Sequence, residues 1–311
     1  MDRLLKTQTH TALKPASLST FLAQIELETQ AQLGEGAYWD DEARCLYWID
    51  IRGKTVNWYD PVTKVNRTLE LDQQVGTVVP ARRGGLIVGL ERGIARLDPE
   101  TGKLTMLADP EAELRTNRFN DGKCDPRGRF WAGTLSMVRT PRAAALYCLD
   151  LDGRLTRKLD GVGISNGICW SADAKTMYYI DTPTQEVAAF DFDVETAAIS
   201  NRRVIARIPE AEGHPDGMTI DADGCLWIAH FAGWRVSRWD PVSGERLAEI
   251  RLQTANATSC AFGGEGLKTL YITTARVTLK PEDLALQPGA GSVWAVTIEG
   301  VGGVRSSRFE G

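Results

Sequence analysis

Four oxygen-bearing side chains each stand directly before a glycine, in Glu35-Gly36, Asp121-Gly122, Asn166-Gly167 and Asp216-Gly217. Carboxylates and amides that face one another repel unless a cation or water neutralises them. Hard oxygen donors of this kind suit Ca²⁺ first, with Mg²⁺ or Mn²⁺ close behind, and Zn²⁺ is compatible with them. A cation held by few protein ligands keeps open positions for water or substrate, which metal-assisted catalysis requires. Singly, Asp-Gly and Asn-Gly are also the commonest tight-turn signals, so a turn is the simpler reading of any one of them. Their joint recurrence argues for a shared cation.

Rival chemistries are poorly supplied. Only His10, His214 and His230 are present, which excludes a multi-His zinc site and a His-Glu-x-x-His helix. His214 and His230 read as structural histidines, with lining of a pocket as the alternative. No Gly-x-Ser-x-Gly elbow and no credible Ser, His and acid set supplies a nucleophile. Cys45, Cys124, Cys148, Cys169, Cys225 and Cys260 are scattered without a C-x-x-C and read as reduced, buried thiols. The net charge of −5 and the lack of a Lys/Arg-rich run argue against a nucleic-acid or membrane footprint. No apolar run approaches the roughly 20 residues that span a bilayer, and the polar stretch Thr7 to Thr20 lacks a signal-peptide core. The expectation is a cytoplasmic protein, monomeric or weakly homo-oligomeric, whose partner is a small molecule.

The elements that must position these oxygens recur about every 40 to 50 residues, the period of a propeller blade. The clearest part of the unit is an apolar-aromatic strand: Leu46 to Ile49, Leu86 to Val88, Phe130 to Ala132, Met177 to Ile180, Leu226 to Ile228 and Leu270 to Ile272. A further strand follows and ends in an acidic turn, as at Asp60-Pro61, Asp98-Pro99, Asp150, Asp191 and Asp240-Pro241, with Val293 to Val296 lacking the Asp. A more polar edge strand such as Lys103 to Leu107 completes the unit. The fold class is therefore all-β, a six-bladed β-propeller. Residues 1–20 are expected to be an N-terminal extension and 21–311 a single propeller domain, with Ala23 to Gln30 as a strand that pairs with the last blade and closes the ring. Short helices are expected near Leu18 to Ile25 and Glu282 to Leu286. Aligning the units places Glu35, Val75, Asp121, Asn166, Asp216 and Thr258 at one equivalent position, so their side chains should converge at one end of the central channel. Trp48, Trp131, Tyr179 and Trp227 read as inter-blade core, and Trp234 as a residue shaping the pocket mouth.

Four stretches in order carry a resemblance: Leu33-Gly34-Glu35-Gly36 with Tyr38-Trp39; Arg118-Phe119-Asn120-Asp121-Gly122-Lys123 through Gly128-Arg129-Phe130-Trp131-Ala132-Gly133-Thr134; Ser165-Asn166-Gly167; and His214-Pro215-Asp216-Gly217-Met218. Over roughly residues 25 to 300 the chain resembles the SMP-30, gluconolactonase and regucalcin family of six-bladed propellers. The resemblance implies that Glu35, Asn166 and Asp216 bind one divalent metal, that Arg118 and Asn120 contact the substrate, and that Asp216 also acts as the proton-transferring base. Asp121 is left between a role orienting bound water and a simple Asp-Gly turn. Some family members place a Glu about twenty residues after the Arg, where this chain reads Leu135-Ser136-Met137-Val138.

The implied activity is hydrolysis of a sugar lactone to the aldonic acid, the substrate being a pentonolactone (arabinonolactone, xylonolactone) or a hexonolactone (gluconolactone, galactonolactone). Arg118 is awkward to bury without an anionic or carbonyl partner, a salt bridge being its plainer role. Two rivals stand beside this reading: a non-catalytic calcium-binding propeller, and a related propeller hydrolase of phosphotriesters or aryl esters.

Overall fold

The computed structural model describes residues 18–311. Its strands form six sheets, four built from consecutive segments of chain and two that also take in a strand from near the start of the described chain, and all strand pairings but one are antiparallel. The inner strands are Gly34–Asp40, Val75–Pro80, Asn117–Cys124, Ser165–Trp170, His214–Ile220 and Ala257–Gly263, and each packs against the next until the last meets the first. This is the expected six-bladed propeller.

The aromatic strands stand second in each blade, where burial on both faces explains their unbroken apolar runs. Trp131 and Trp227 are fully buried between blades, and their indole N–H groups donate to Asp125 and Asp221, both at 2.9 Å. Those aspartates also accept from backbone N–H groups of the following turns, so one carboxylate ties each turn to the core beneath it. The acidic turns between third and fourth strands work similarly: Asp98 Oδ1 accepts from the backbone N–H of Glu100 and of Thr101, and Asp240 Oδ1 from that of Val242.

Ring closure comes from both ends of the described chain. Gln24–Leu27 pairs antiparallel with Val293–Thr297 as the outermost strand of the sixth blade, as expected for the segment Ala23 to Gln30. The helix expected near Leu18 to Ile25 is absent, because Ser19–Leu22 instead adds in parallel to Arg246–Arg251, giving the fifth blade a fifth strand. An exposed sheet edge offers that segment a full set of hydrogen bonds, which outweighs a weak local helical pattern. The helix at Pro281–Leu286 is present. Most of the extension expected at residues 1–20 lies outside the described residues.

The C-terminal residues cross the end of the channel at which the inner strands finish. Ala222 N–H donates to Gly302 O, the Tyr38 hydroxyl donates to Ser306 O and Ser307 O, Phe309 forms a bridge with Ala81, and Glu310 N–H donates to Gly128 O. Ion pairs of Arg308 with Asp40 and Glu42, of Arg305 with Asp41, and of Arg82 with Glu310 fasten the segment. The open mouth is the other one, where the inner strands begin.

Candidate active site

Each inner strand breaks register with its neighbour close to the position made equivalent by the repeats. The shifts fall between Glu35 and Tyr38, Val75 and Thr77, Phe119 and Gly122, Ser165 and Ile168, Pro215 and Met218, and Ala257 and Ser259. A bulge re-aims a side chain out of the ordinary strand alternation, so six of them at one height form a ring of redirected residues. The four X-Gly pairs are therefore bulges inside strands, and the tight-turn reading fails. Their glycines permit close approach between blades. A Cβ at Gly167 would lie 2.8 Å from Asp216 O, and one at Gly217 2.8 Å from the Ser259 Cα.

Glu35, Asn166 and Asp216 are all buried. The carboxyl groups of Glu35 and Asp216 lie within hydrogen-bonding range of each other; burial and the Asp121 charge raise Glu35 to about 8, and burial with the Glu35 and Asp121 charges pushes Asp216 well above the usual carboxylate range. Arg118 lies near both. Burial lowers its guanidinium to about 10, opposed by the Glu35 and Asp216 charges. Among the described residues no set of three or more His, Cys, Asp and Glu converges; the donors here are two carboxylates and an amide. Two buried carboxylates in contact need a proton or a cation between them, and an amide oxygen beside them completes a set of hard donors, so these residues fit a divalent cation.

A chain of hydrogen bonds across three blades holds the amides. Arg118 Nη1 donates to Phe119 O and to Asn120 Oδ1, each at 2.8 Å. Asn120 Nδ2 donates to Ser165 O at 2.8 Å and to Asn166 Oδ1 at 3.0 Å. Asn166 Nδ2 donates to the Thr182 hydroxyl at 2.7 Å, which itself donates to Pro215 O at 2.8 Å, one residue before Asp216. Both Asn120 hydrogens are thus engaged within the protein, and what it retains is one lone pair on Oδ1. Arg118 keeps Nε and Nη2 without a protein partner among the described residues, and neither is sealed from solvent. Thr182 escaped the sequence reading because its threonine, in a loop after a strand, carries no motif. Only the fold brings it between Asn166 and Pro215.

Other candidates sort by position. Asp121 is part-buried, its Oδ1 accepting from Gly122 N–H at 2.7 Å, and burial raises its proton affinity while nearby Lys123 opposes that. Its charge acts on both Glu35 and Asp216. His230 is structural: Nε2 pairs with the Ser237 hydroxyl at 2.6 Å and Nδ1 with Glu212 O at 2.9 Å, and burial lowers it to about 4. His214 is exposed and pairs with Gln185. Trp234 lies at the tip of a hairpin between second and third strands, hence at the mouth where the inner strands begin, with a left-handed φ of 61°. Val138 is 64% exposed, so no carboxylate stands there.

The SMP-30/Gluconolactonase/LRE-like region family matches residues 33–276. A Bacillus subtilis protein named "Putative sugar lactone lactonase YvrE" is 39% identical over 289 residues, covering 93% of this chain and 99% of its own. Regucalcin of Danio rerio is 39% identical over 296 residues, covering 94% and 100%. The crystal structure of a calcium-binding protein, regucalcin, from Agrobacterium tumefaciens superposes with a TM-score of 0.89 at 26% identity, covering 95% of this chain and 99% of that one.

Proposed function

The chain belongs to the SMP-30/gluconolactonase/LRE-like family, and from that premise we propose that it is a cation-dependent sugar lactonase. The observation carrying this reading is the buried Glu35 and Asp216 pair at one channel mouth, with the fixed Asn166 amide and the part-free Arg118 beside it. A divalent cation held by Glu35, Asn166 and Asp216, Ca²⁺ before Zn²⁺, Mn²⁺ or Mg²⁺, would supply Lewis acidity toward the negative charge that develops on the lactone carbonyl oxygen.

The chain's own residues do the rest. Arg118 directs Nε and Nη2 to the substrate and adds donors for the developing oxyanion. Asn120 fixes Arg118 and Asn166 and accepts from a substrate hydroxyl through its remaining lone pair, so its contact with the sugar is as acceptor. Asp216 accepts a proton as the water oxygen bonds to the carbonyl carbon. The ring C–O bond then breaks and the proton passes to the leaving ring oxygen, giving an aldonic acid with a free hydroxyl. Ligation lowers the proton affinity of Asp216, while burial and the Glu35 charge raise it, and a lactone is activated enough for a modest base. Asp121 orients water beside the pair.

Polar groups around Arg118 favour aldonolactones over lipophilic ones, pentonolactones such as arabinonolactone and xylonolactone standing level with gluconolactone and galactonolactone. We place the activity in the cytoplasm on the strength of six buried free thiols. Proton release by the Ca²⁺-loaded protein over a panel of pentono- and hexonolactones tests the proposal. Turnover of at least one of them is expected, and silence across the panel would leave a calcium-binding propeller.

A further inference from the structure

We propose that Glu91 selects hydroxylated lactones, accepting hydrogen bonds from a sugar diol that Arg118 grips from the other side; this rests on the lactonase reading. Glu91 stands at the turn between Leu86–Leu90 and Gly93–Leu97 in the second blade, at the open mouth. A cavity of about 140 Å³ lies between this turn and the third blade, lined among others by Glu91, Arg92, Asn117 and Arg118.

The backbone of the turn is pinned while its carboxylate is unused. Glu91 N–H donates to Gln74 O at 2.9 Å, and Arg92 N–H donates to Gln73 Oε1 at 2.9 Å. Among the described residues the Glu91 side chain makes no hydrogen bond or ion pair, although its charge reaches the Arg118 guanidinium. Glu111, another acid lining the cavity, differs entirely, because it accepts from Asn117 at 2.9 Å, from the Thr134 hydroxyl at 3.0 Å and from the Tyr147 hydroxyl at 2.9 Å. Glu111 is framework. Glu91 is a carboxylate aimed at nothing the protein provides.

The chemistry that fits is a vicinal diol. Each hydroxyl both donates and accepts, so a carboxylate and a guanidinium with free N–H groups lining one cavity satisfy adjacent hydroxyls together. The volume is close to the roughly 150 Å³ that admits a benzene-sized group. It has room for a short hydroxylated arm.

The test compares wild type, Glu91→Ala and Glu91→Gln on xylono-1,4-lactone and on γ-butyrolactone, the same ring without hydroxyls, with thermal midpoints measured alongside. Wild type should prefer the hydroxylated ring. In Glu91→Ala the ratio of the two kcat/KM values should fall by roughly 10- to 100-fold, mainly through KM, the loss expected when a charged group's hydrogen bond to substrate is removed. Glu91→Gln, which keeps one acceptor, should fall between them, and the midpoint should not move. An unchanged ratio in active Glu91→Ala overturns the inference, as does an equal loss on both substrates, which would make Glu91 a support for Arg118. Inactivity of wild type on every lactone would instead strike down the lactonase reading, and this inference with it.

Discussion

Asp216 and Glu35 are chemically alike, yet the proposed mechanism gives the proton to Asp216 alone. Each is buried beside the other, but Asp216 follows Pro215, whose carbonyl accepts from Thr182, so its placement is coupled to that of Asn166. Asp216→Asn retains an oxygen ligand of nearly the same shape and removes the proton acceptor. The cation should bind more weakly, and turnover at saturating cation should fall by roughly 10² to 10⁴, the scale of general-base catalysis. Calorimetry beside a turnover assay separates the two effects, and full activity in the saturated variant would eliminate this base. The types of the proposed ligand residues were legible in the sequence, because hard oxygens at a repeating position suggest a cation whatever the fold. Thr182 and the proposed Glu91 were not, since their places beside Asn166 and Arg118 depend on how neighbouring blades pack. Asn120 was legible as a candidate, but that only an acceptor remains free on it emerges once both its hydrogens are seen to be engaged.

At the scale of the element, the bulge in each inner strand turns a repeat of sequence into a ring of redirected side chains. Strand order and the aromatic core were readable because burial on both faces writes itself as short apolar runs. The bulges were not, because a glycine after an acid signals a turn equally well until its neighbours are known. Gly217 makes the difference measurable. A Cβ there would meet the Ser259 Cα and Thr258 O, both at 2.8 Å, where flexible side chains cannot yield. Gly217→Ala should therefore destabilise by about 1–3 kcal/mol through forced separation of the fifth and sixth blades. Thermal unfolding would register this as a drop of several degrees, and an unmoved midpoint would show that the strands can part without cost. The missing helix at Leu18 to Ile25 teaches a related lesson: an eight-residue pattern is a weak signal beside an open sheet edge that can pair with it.

For the molecule as a whole, we propose that the propeller domain expected over residues 21–311 also takes in Ser19 and Thr20 with the added strand of the fifth blade, and is closed at its rim by Gln24–Leu27 and across one mouth by the C-terminal segment. The charged residues of that segment face acids and bases of the first two blades, an arrangement that no local pattern near Arg305 or Arg308 reveals. Deleting residues 304–311 should lower the thermal midpoint by several degrees while leaving lactone turnover of the folded fraction near wild type, because the proposed ligands lie at the opposite mouth. An equal loss of cation affinity would place the segment in the site. Chelation is the sharpest probe of whether a cation at the open mouth serves hydrolysis and not folding. Proton release from an aldonolactone should be followed in one preparation before chelation, after it, and after Ca²⁺ is restored, with far-ultraviolet circular dichroism recorded at each stage. Turnover should vanish and return while the β-sheet spectrum stays unchanged; hydrolysis that persists in the chelated protein, or a spectrum that collapses on chelation, would rule out a cation that serves hydrolysis alone.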